Sequence, residues 1–280
     1  MQWKGRRESS NVEDRRGMSG KSMLGGGIGG IIIVLLVTLL GGNSGDLLNQ
    51  ITGTVTGTNA PYEATQEEQE LKEFVSVVLA DTEDVWSDIF KQRGMTYENP
   101  TLVIYSGSVQ SACGTAGSSV GPFYCPGDRK LYIDLSFYDE LKQKFKAPGD
   151  FAMAYVVAHE VGHHVQTLLG TSDKVMPQRE KVSEAEYNKY SVRFELQADY
   201  YAGVWAKHDQ GKGVLEEGDI EEALTAASAV GDDTLQKQAQ GYAVPESFTH
   251  GTSEQRKRWF YKGYQNGTIE GGDTFHEAQL

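Results

Sequence analysis

Three residues near the middle of the chain have the types and spacing of a catalytic metal site. His159, Glu160 and His163 form the pattern H-E-x-x-H. Because an α-helix turns once in about 3.6 residues, two histidines at positions i and i+4 share a face and can bind one ion. The glutamate, about 100° away round the helix, can face a water molecule on the metal. The spacing therefore predicts a catalytic Zn2+ with Glu160 as its general base.

The residues around this motif predict a buried helix. An apolar run at 151–158 precedes the motif, Asp150 is a candidate N-cap, and Gly170 is a stop signal. We therefore expect one helix over about 150–169. Ionisable residues inside such an apolar helix are costly to desolvate unless a metal or a hydrogen-bonding partner receives them. The alternative is that the histidines are hydrogen-bonded core residues and Glu160 lies at the surface.

A third metal ligand is expected downstream of this helix. Catalytic zinc commonly has three protein ligands and an open fourth position for water. A capping-box pattern at 183–186 predicts a helix that runs to about Lys207. Within it, Glu195 and Asp199 are also spaced i and i+4, so one carboxylate can bind zinc while the other accepts a ring N–H of a histidine ligand. The alternative, a solvent-exposed acidic face, is disfavoured by the apolar residues around the pair.

Two further histidines are candidates for supporting roles. His164 points about 100° away from its neighbour His163, so we expect it to pack or to support the site, not to bind zinc. His250 precedes a capping-box pattern at 252–255 that begins a basic and aromatic helix. From that loop, His250 can donate a hydrogen bond to the oxyanion formed when an amide is attacked, or it can simply fix the loop. The basic residues at 256–258 are predicted to lie in solvent.

Two motifs and three other segments carry a resemblance to known metallopeptidases. H-E-V-G-H at 159–163, followed by E-L-Q-A-D at 195–199, resembles the gluzincin arrangement. The opening M-Q-W-K-G-R-R-E-S, the segment 113–126 and the segment 248–256 are similar to a bacterial family of neutral zinc metallopeptidases with one N-terminal membrane anchor. The resemblance implies that Glu195 is the third zinc ligand and that Asp199 supports a histidine ligand. It also implies hydrolysis of peptide bonds.

The first part of the chain differs in composition from the rest. Residues 1–22 form a basic leader, and residues 23–42 contain no charge. Twenty helical residues at about 1.5 Å each span a hydrocarbon core of about 30 Å, so 23–42 is predicted to be a single transmembrane helix. By the positive-inside tendency, the N-terminus is cytoplasmic and the catalytic domain lies outside the bacterial inner membrane. The alternative is a cleaved signal peptide, which the long charged leader and the lack of Ala-x-Ala disfavour.

The two cysteines fit an exported compartment. Cys113 and Cys125 stand twelve positions apart, and in an oxidising space they can form a disulfide worth about 3 kcal/mol. The alternative is two buried free thiols. A zinc role is disfavoured, because histidines and a glutamate already supply the usual ligands.

The remaining pattern predicts an α+β fold, with a mainly helical zincin-like domain and a small sheet over 65–280. A Gly/Thr-rich tether at 43–64 precedes the domain. A capping box begins a helix that runs from 65 to about 94, and strands are predicted at 101–105 and 131–135. The second strand directly precedes the zinc helix. We expect it to be either an edge strand that binds an extended peptide or an ordinary core strand.

These observations favour a membrane-anchored zinc endopeptidase that acts on a peptide or protein substrate. The net charge of −13 disfavours nucleic acid as a partner of the main domain. A different class of function remains open, an envelope binding or assembly module with a structural zinc. Structural zinc usually has four protein ligands, so a fourth side chain such as His250 closing the site would indicate that module. Zinc-dependent hydrolysis of another kind of bond is a third reading.

Overall fold

The computed structural model describes residues 1–17 and 62–280, and it confirms the α+β class. Helices dominate these ranges, and the strands form one four-stranded sheet and one hairpin. The helices are α1 (Gln66–Gln92), α2 (Phe137–Gln143), α3 (Asp150–Leu168), α4 (Thr171–Val175), α5 (Glu184–Gly211), α6 (Asp219–Ala229), α7 (Asp232–Gln240) and α8 (Ser253–Asn266). The strands are β1 (Val12–Asp14), β2 (Thr101–Tyr105), β3 (Ser108–Ser111), β4 (Gly114–Gly117), β5 (Phe123–Cys125) and β6 (Lys130–Asp134).

Capping residues set the starts of three of the long helices where the sequence predicted them. Thr65 and Glu68 form a reciprocal capping box at the start of α1. Thr252 and Gln255 do the same for α8. At α5, the Ser183 hydroxyl accepts the N–H of the third helical residue. Each box satisfies backbone N–H groups that would otherwise lack partners in the first turn, so these boundaries follow from local chemistry.

The predicted N-cap of the zinc helix was wrong. Gly149, with φ of +116°, is the N-cap of α3, and Asp150 is the first helical residue. Gly218 is likewise the N-cap of α6. The Glu222 carboxylate reaches across to α3, where it accepts the N–H of Phe151 at 3.1 Å. A side chain from another helix therefore caps the first turn of α3, and the local sequence pattern does not indicate this contact.

The sheet has the strand order β1-β2-β6-β5. Strands β1, β2 and β6 are parallel, and β5 pairs antiparallel with β6. Strand β6 is hydrogen-bonded on both sides, so the structure excludes it as a peptide-binding edge and selects the core-strand alternative. Within 1–17 and 62–280, β5 is the last strand of the sheet on that side.

The two faces of the sheet are both covered. Leu102, Ile104 and Ile133 point towards the helices and join the main core. Val103, Tyr105 and Tyr132 alternate with them and form a smaller cluster against the β3–β4 hairpin. The predicted disulfide is confirmed: Cys113 and Cys125 are bonded, with their Cα atoms 5.8 Å apart, and the bond ties the turn of the hairpin to the last residue of β5.

The N-terminal residues belong to the folded domain. Residues 12–14 form β1, which pairs in parallel with β2. The sequence predicted residues 1–22 as a separate basic leader, whereas residues 1–17 pack into the body formed by 62–280. The physical reason is that their arginines and small polar side chains meet buried carboxylates of α1, which only the folded chain brings to them.

The predicted transmembrane helix at 23–42 lies outside the described residues, as does the predicted tether at 43–64 apart from its last three residues. Across 1–17 and 62–280, every helix is either too short or too polar to cross a bilayer.

Candidate metal centre

The site lies where α3 and α5 pack closely together. Gly162, inside the H-E-V-G-H motif, makes this approach possible. A Cβ atom at this position would lie 2.8 Å from the backbone oxygen of Ala198 on α5. Any larger residue would therefore push the two helices apart. The close contact brings the histidine face of α3 to the acidic face of α5.

The three predicted ligands meet at this contact. Ligand atoms of His159, His163 and Glu195 all lie within 4.8 Å of one another. The Glu195 Oε2 atom is 3.1 Å from His159 Nε2 and 3.4 Å from His163 Nε2. Tetrahedral zinc with bonds of about 2.1 Å needs ligand atoms about 3.4 Å apart. The spacing of the donors therefore fits this ion.

Each histidine is oriented through its other ring nitrogen. His159 Nδ1–H donates to Asp199 Oδ1 at 2.8 Å. His163 Nδ1–H donates to the Gln166 side-chain oxygen at 2.8 Å. These hydrogen bonds fix the tautomers that leave Nε2 free to bind metal. Asp199 occupies the supporting position that the resemblance implied, whereas the sequence did not suggest Gln166.

Asp199 is held by two further buried side chains. Arg256 from α8 donates to both carboxylate oxygens, at 2.8 Å from Nε and 2.9 Å from Nη2. The Tyr155 hydroxyl donates to Asp199 Oδ1 at 2.6 Å. Arg256 is 4% exposed, so the prediction that it lies in solvent was wrong. The buried carboxylate requires a buried cation, and α8 supplies it.

The electrostatics of the metal-free cluster follow from these contacts. Burial opposes the charge of Asp199, but Arg256 and His159 outweigh it and lower the pKa of Asp199 to about 2. Burial likewise opposes a charged His159, yet Asp199 and Glu195 raise the pKa of His159 to about 10. Against the same burial, His163 and His250 hold the pKa of Glu195 well below its usual value. The cluster therefore keeps both carboxylates ionised and ready for a cation.

Glu160 lines a cavity in front of the three ligands. The cavity has a volume of about 290 Å³, and His159, His163 and Glu195 lie in its wall. Burial raises the pKa of Glu160 above its usual value, although the neighbouring His159 and His163 oppose the shift. A carboxylate with a raised pKa, facing the cavity, suits a general base. Much of the remaining wall is apolar, with Val120, Phe123, Phe137, Phe145, Met176 and Phe194.

His250 lies in the same cavity but does not complete the ligand set. Among the residues that the structure describes, the group of metal-compatible atoms here contains only His159, His163 and Glu195. Asp232 builds the His250 loop: its Oδ2 atom accepts the backbone N–H of His250 at 2.6 Å. The same oxygen accepts the N–H groups of the residues on either side. Burial opposes it, but Glu195 and Asp232 raise the pKa of His250.

His164 points away from the ligands, as the helical spacing predicted. Its Nδ1 atom accepts the Tyr124 hydroxyl at 3.0 Å, and its Nε2–H donates to the Glu98 backbone oxygen at 2.6 Å. Burial lowers the pKa of His164 to about 4. This neutral side chain therefore ties strand β5 to the zinc helix.

Sequence reasoning missed Gln166, Arg256 and Asp232. Gln166 carries a recognisable signal, because it follows His163 by three residues and so shares its side of the helix. Arg256 stands in a run of three basic residues that looks solvent-exposed. Asp232 acts on a loop 17–19 residues further along the chain, and nothing in its local sequence indicates that.

Comparisons with known proteins agree with the chemistry of these residues. The model of the family described as "Putative neutral zinc metallopeptidase" matches residues 1–275. The Escherichia coli (strain K12) protein YpfJ is 50% identical over 286 residues, which is 99% of this chain and 100% of YpfJ. The Mycobacterium tuberculosis (strain H37Rv) protein Rv2575 is 45% identical over 195 residues, 66% of this chain and 65% of that protein. No solved structure matches the chain.

Proposed function

The chain belongs to the neutral zinc metallopeptidase family, and from that membership we propose that it is a zinc-dependent endopeptidase. The observation that carries this proposal is the open ligand set. Three side chains converge with the spacing of zinc ligands, and Glu160 faces the same cavity. A structural zinc would need a fourth protein ligand, and His250, the candidate for it, stands outside the cluster.

In this mechanism His159, His163 and Glu195 hold the ion. Zinc, when bound, supplies a Lewis acid that polarises a water molecule and the scissile carbonyl. Glu160 accepts a proton from the attacking water and passes it to the leaving amine. Burial places the pKa of Glu160 above that of an ordinary carboxyl group, which favours the first transfer, from water to the carboxylate.

In this proposal His250 donates a hydrogen bond to the developing oxyanion. Its raised pKa favours the protonated ring, a hydrogen-bond donor of the kind that stabilises a tetrahedral oxyanion. Asp232 fixes the loop through three backbone N–H groups and lies 3.4 Å from His250 Nδ1. These contacts hold the loop that brings His250 to the cavity wall.

The substrate is an extended peptide bound along β5. Strand β6 has neighbours on both sides, so backbone pairing with a peptide falls to β5, whose outer edge has no strand partner among the residues that the structure describes. Phe123 and Tyr124 of this strand also line the cavity. A peptide paired there would pass its backbone in front of the zinc ligands.

The decisive experiment is cleavage of a diverse peptide library by the full-length, zinc-loaded chain. Glu160→Gln keeps the shape of the side chain but removes the base, and we expect kcat to fall by about 10²–10⁴-fold or more with zinc content unchanged. Glu184→Gln makes the same chemical change at an exposed position of α5 and should behave like the wild type.

Each other result of this experiment has a defined meaning. Zinc lost together with activity in Glu160→Gln would show that Glu160 holds the ion. If wild type and variant both bind zinc firmly and neither cleaves any peptide, the endopeptidase proposal fails and a structural zinc module replaces it.

We also propose that the apolar residues 23–42 attach the protein to the bacterial inner membrane. Their length and lack of charge support this, and the Cys113–Cys125 disulfide supports a catalytic domain in an oxidising, exported compartment.

A further inference from the structure

The first seventeen residues are an integral part of the domain. The backbone N–H of Leu102 donates to the backbone oxygen of Asn11 at 2.8 Å, and the backbone N–H of Arg15 donates to the backbone oxygen of Ile104 at 2.7 Å. Glu13 adds an ion pair with Lys130 of β6, at 2.5 Å between Oε1 and Nζ. Without β1, the long edge of β2 would lie open to solvent.

The same segment satisfies two buried carboxylates of α1. Asp81 and Glu83 are each only 4% exposed. Arg6 donates to both oxygens of Asp81, at 2.7 and 2.6 Å. Ser9 and Asn11 donate to Glu83 Oε1, at 2.6 and 2.7 Å. A buried carboxylate without a partner is strongly unfavourable, so α1 depends on residues 6–11 for its own burial.

The chain leaves this segment and re-enters the domain at one place. The Arg16 guanidinium carbon lies 5.6 Å from the centre of the Tyr62 ring. A Cβ atom on Gly17 would lie 2.2 Å from the Cβ atom of Tyr62, so the backbone passes directly against this side chain. Gly17 has φ of +76°, which glycine adopts without strain. The two ends of the stretch 18–61 therefore stand side by side on one surface of the domain.

This geometry conflicts with a single membrane crossing between β1 and α1. One crossing would separate residues 1–17 from 62–280 by a hydrocarbon core of about 30 Å. Hydrogen-bonded strands lie about 4.8 Å apart, so β1 and β2 can pair only on the same side. An opposite-side arrangement would also leave Asp81 and Glu83 without their partners.

We propose that residues 1–17 and 62–280 lie on the same side of the membrane, and that the surface where Gly17 meets Tyr62 faces the bilayer. The partner of this surface is a lipid membrane, which the uncharged residues 23–42 engage. This inference goes beyond the proposed peptidase activity and does not depend on it.

Thiol labelling of the full-length chain in Escherichia coli tests the proposal. The sequence has two cysteines, and both are in the disulfide, so single new cysteines report their own positions under non-reducing conditions. Ser10→Cys and Ala185→Cys place thiols at exposed positions of the two parts. Spheroplasts are treated with a membrane-impermeant maleimide, intact or after lysis.

We expect the two positions to behave alike. If both thiols are labelled in intact spheroplasts, the domain lies outside the cytoplasm. If both are protected until lysis, it lies inside. Either result supports the same-side arrangement. One position labelled and the other protected until lysis would overturn it. A denatured sample gives the total labelling of each thiol.

A cross-linking measurement on the unmodified chain provides an independent check. A carbodiimide joins Glu13 and Lys130 by an amide bond only where these side chains touch, as they do here. In intact membranes we expect mass spectrometry to find this cross-linked peptide. If Lys130 is linked only to residues of 62–280 in membranes, while the purified chain gives the link to Glu13, residues 1–17 are elsewhere in the cell and the inference is wrong.

Discussion

At the scale of single residues, the candidate zinc site depends on a chain of buried contacts that runs from α8 to the metal ligands. Arg256 holds Asp199, and Asp199 in turn holds the ring of His159. Because all three side chains are buried, removing one leaves the next without its partner. The ligand geometry therefore depends on residues that do not touch the ion.

Arg256→Met tests this chain of contacts. The substitution keeps a long side chain but leaves the Asp199 carboxylate buried without its cation, and we expect the unfolding free energy to fall by about 3–5 kcal/mol. Zinc affinity should fall by about 10–100-fold as the ring of His159 loses its orientation. Chemical denaturation and zinc titration measure the two effects. Arg258→Met, two positions along on the exposed side of α8, is the matched control and should change neither.

Zinc affinity should depend on pH through His159. Its pKa of about 10 in the metal-free protein means that zinc must displace a proton at neutral pH. Below pH 10 we therefore expect apparent affinity to rise about tenfold per pH unit, as for release of one proton. In Asp199→Asn the zinc affinity should stop rising at a lower pH, nearer the ordinary histidine pKa of about 6.5. An affinity that stays constant between pH 7 and 9 would contradict a protonated His159.

The same pKa gives the metal-free protein a defined stability profile. A histidine whose pKa is raised on folding contributes its full stabilisation below the unfolded-state value of about 6.5 and loses it as the pH rises towards 10. The unfolding free energy of the metal-free chain should therefore decline across that window. Denaturation curves with and without a chelator would show the decline only in the chelated sample.

At the scale of elements, the contact between α3 and α5 decides whether the ligands meet. Gly162→Ala would place a Cβ atom 2.8 Å from a backbone oxygen of α5, where no side chain can move aside. We expect a loss of about 1–3 kcal/mol of stability together with weaker zinc binding, because Glu195 moves away from the histidines. Thermal unfolding and zinc titration measure both quantities.

Gly211→Ala is the control for this substitution. It also replaces a glycine in α5, but a Cβ atom there meets no other atom within 4 Å. Alanine has the higher helix propensity, so this variant should be stabilised by up to about 1 kcal/mol with zinc affinity unchanged. Equal effects of the two substitutions would mean that close packing at Gly162 does not position the ligands.

At the scale of the whole molecule, the domain consists of two stretches of chain that fold as one body. Residues 1–17 complete both the sheet and the buried charges of α1, and Gly17 lies against Tyr62. The ends of the intervening stretch are close enough for a short linker to join them.

This architecture predicts opposite outcomes for two deletions. Replacing residues 18–61 with about four Gly/Ser residues should leave the melting temperature of the domain nearly unchanged, because β1 still pairs with β2. Removing residues 1–61 altogether should unfold or strongly destabilise it, since Asp81 and Glu83 lose their partners. Circular dichroism of the two purified chains compares them. Equal stability of the two chains would show that residues 1–17 are dispensable.

The sequence alone determined the features that arise from short-range periodicity and local hydrogen bonding. The i and i+4 spacing of the two histidines identified the zinc motif, and the capping boxes at 65–68 and 252–255 located two helix starts. The pairing of Cys113 with Cys125 followed because the chain has only these two cysteines. The helix features depend on residues within a few positions of one another, and two cysteines allow only one intramolecular disulfide. Neither inference requires knowledge of the tertiary structure.

Tertiary structure alone decided which distant side chains meet. Arg256 is 57 residues from Asp199, and its burial follows from the packing of α8 on α5, which three adjacent basic letters do not indicate. The position of β6 inside the sheet and the return of residues 1–17 to the domain are likewise contacts between separate parts of the chain. The physical reason is the same in each case. A buried charge or an open strand edge requires a partner, and only the folded chain determines which residue is near enough to be that partner.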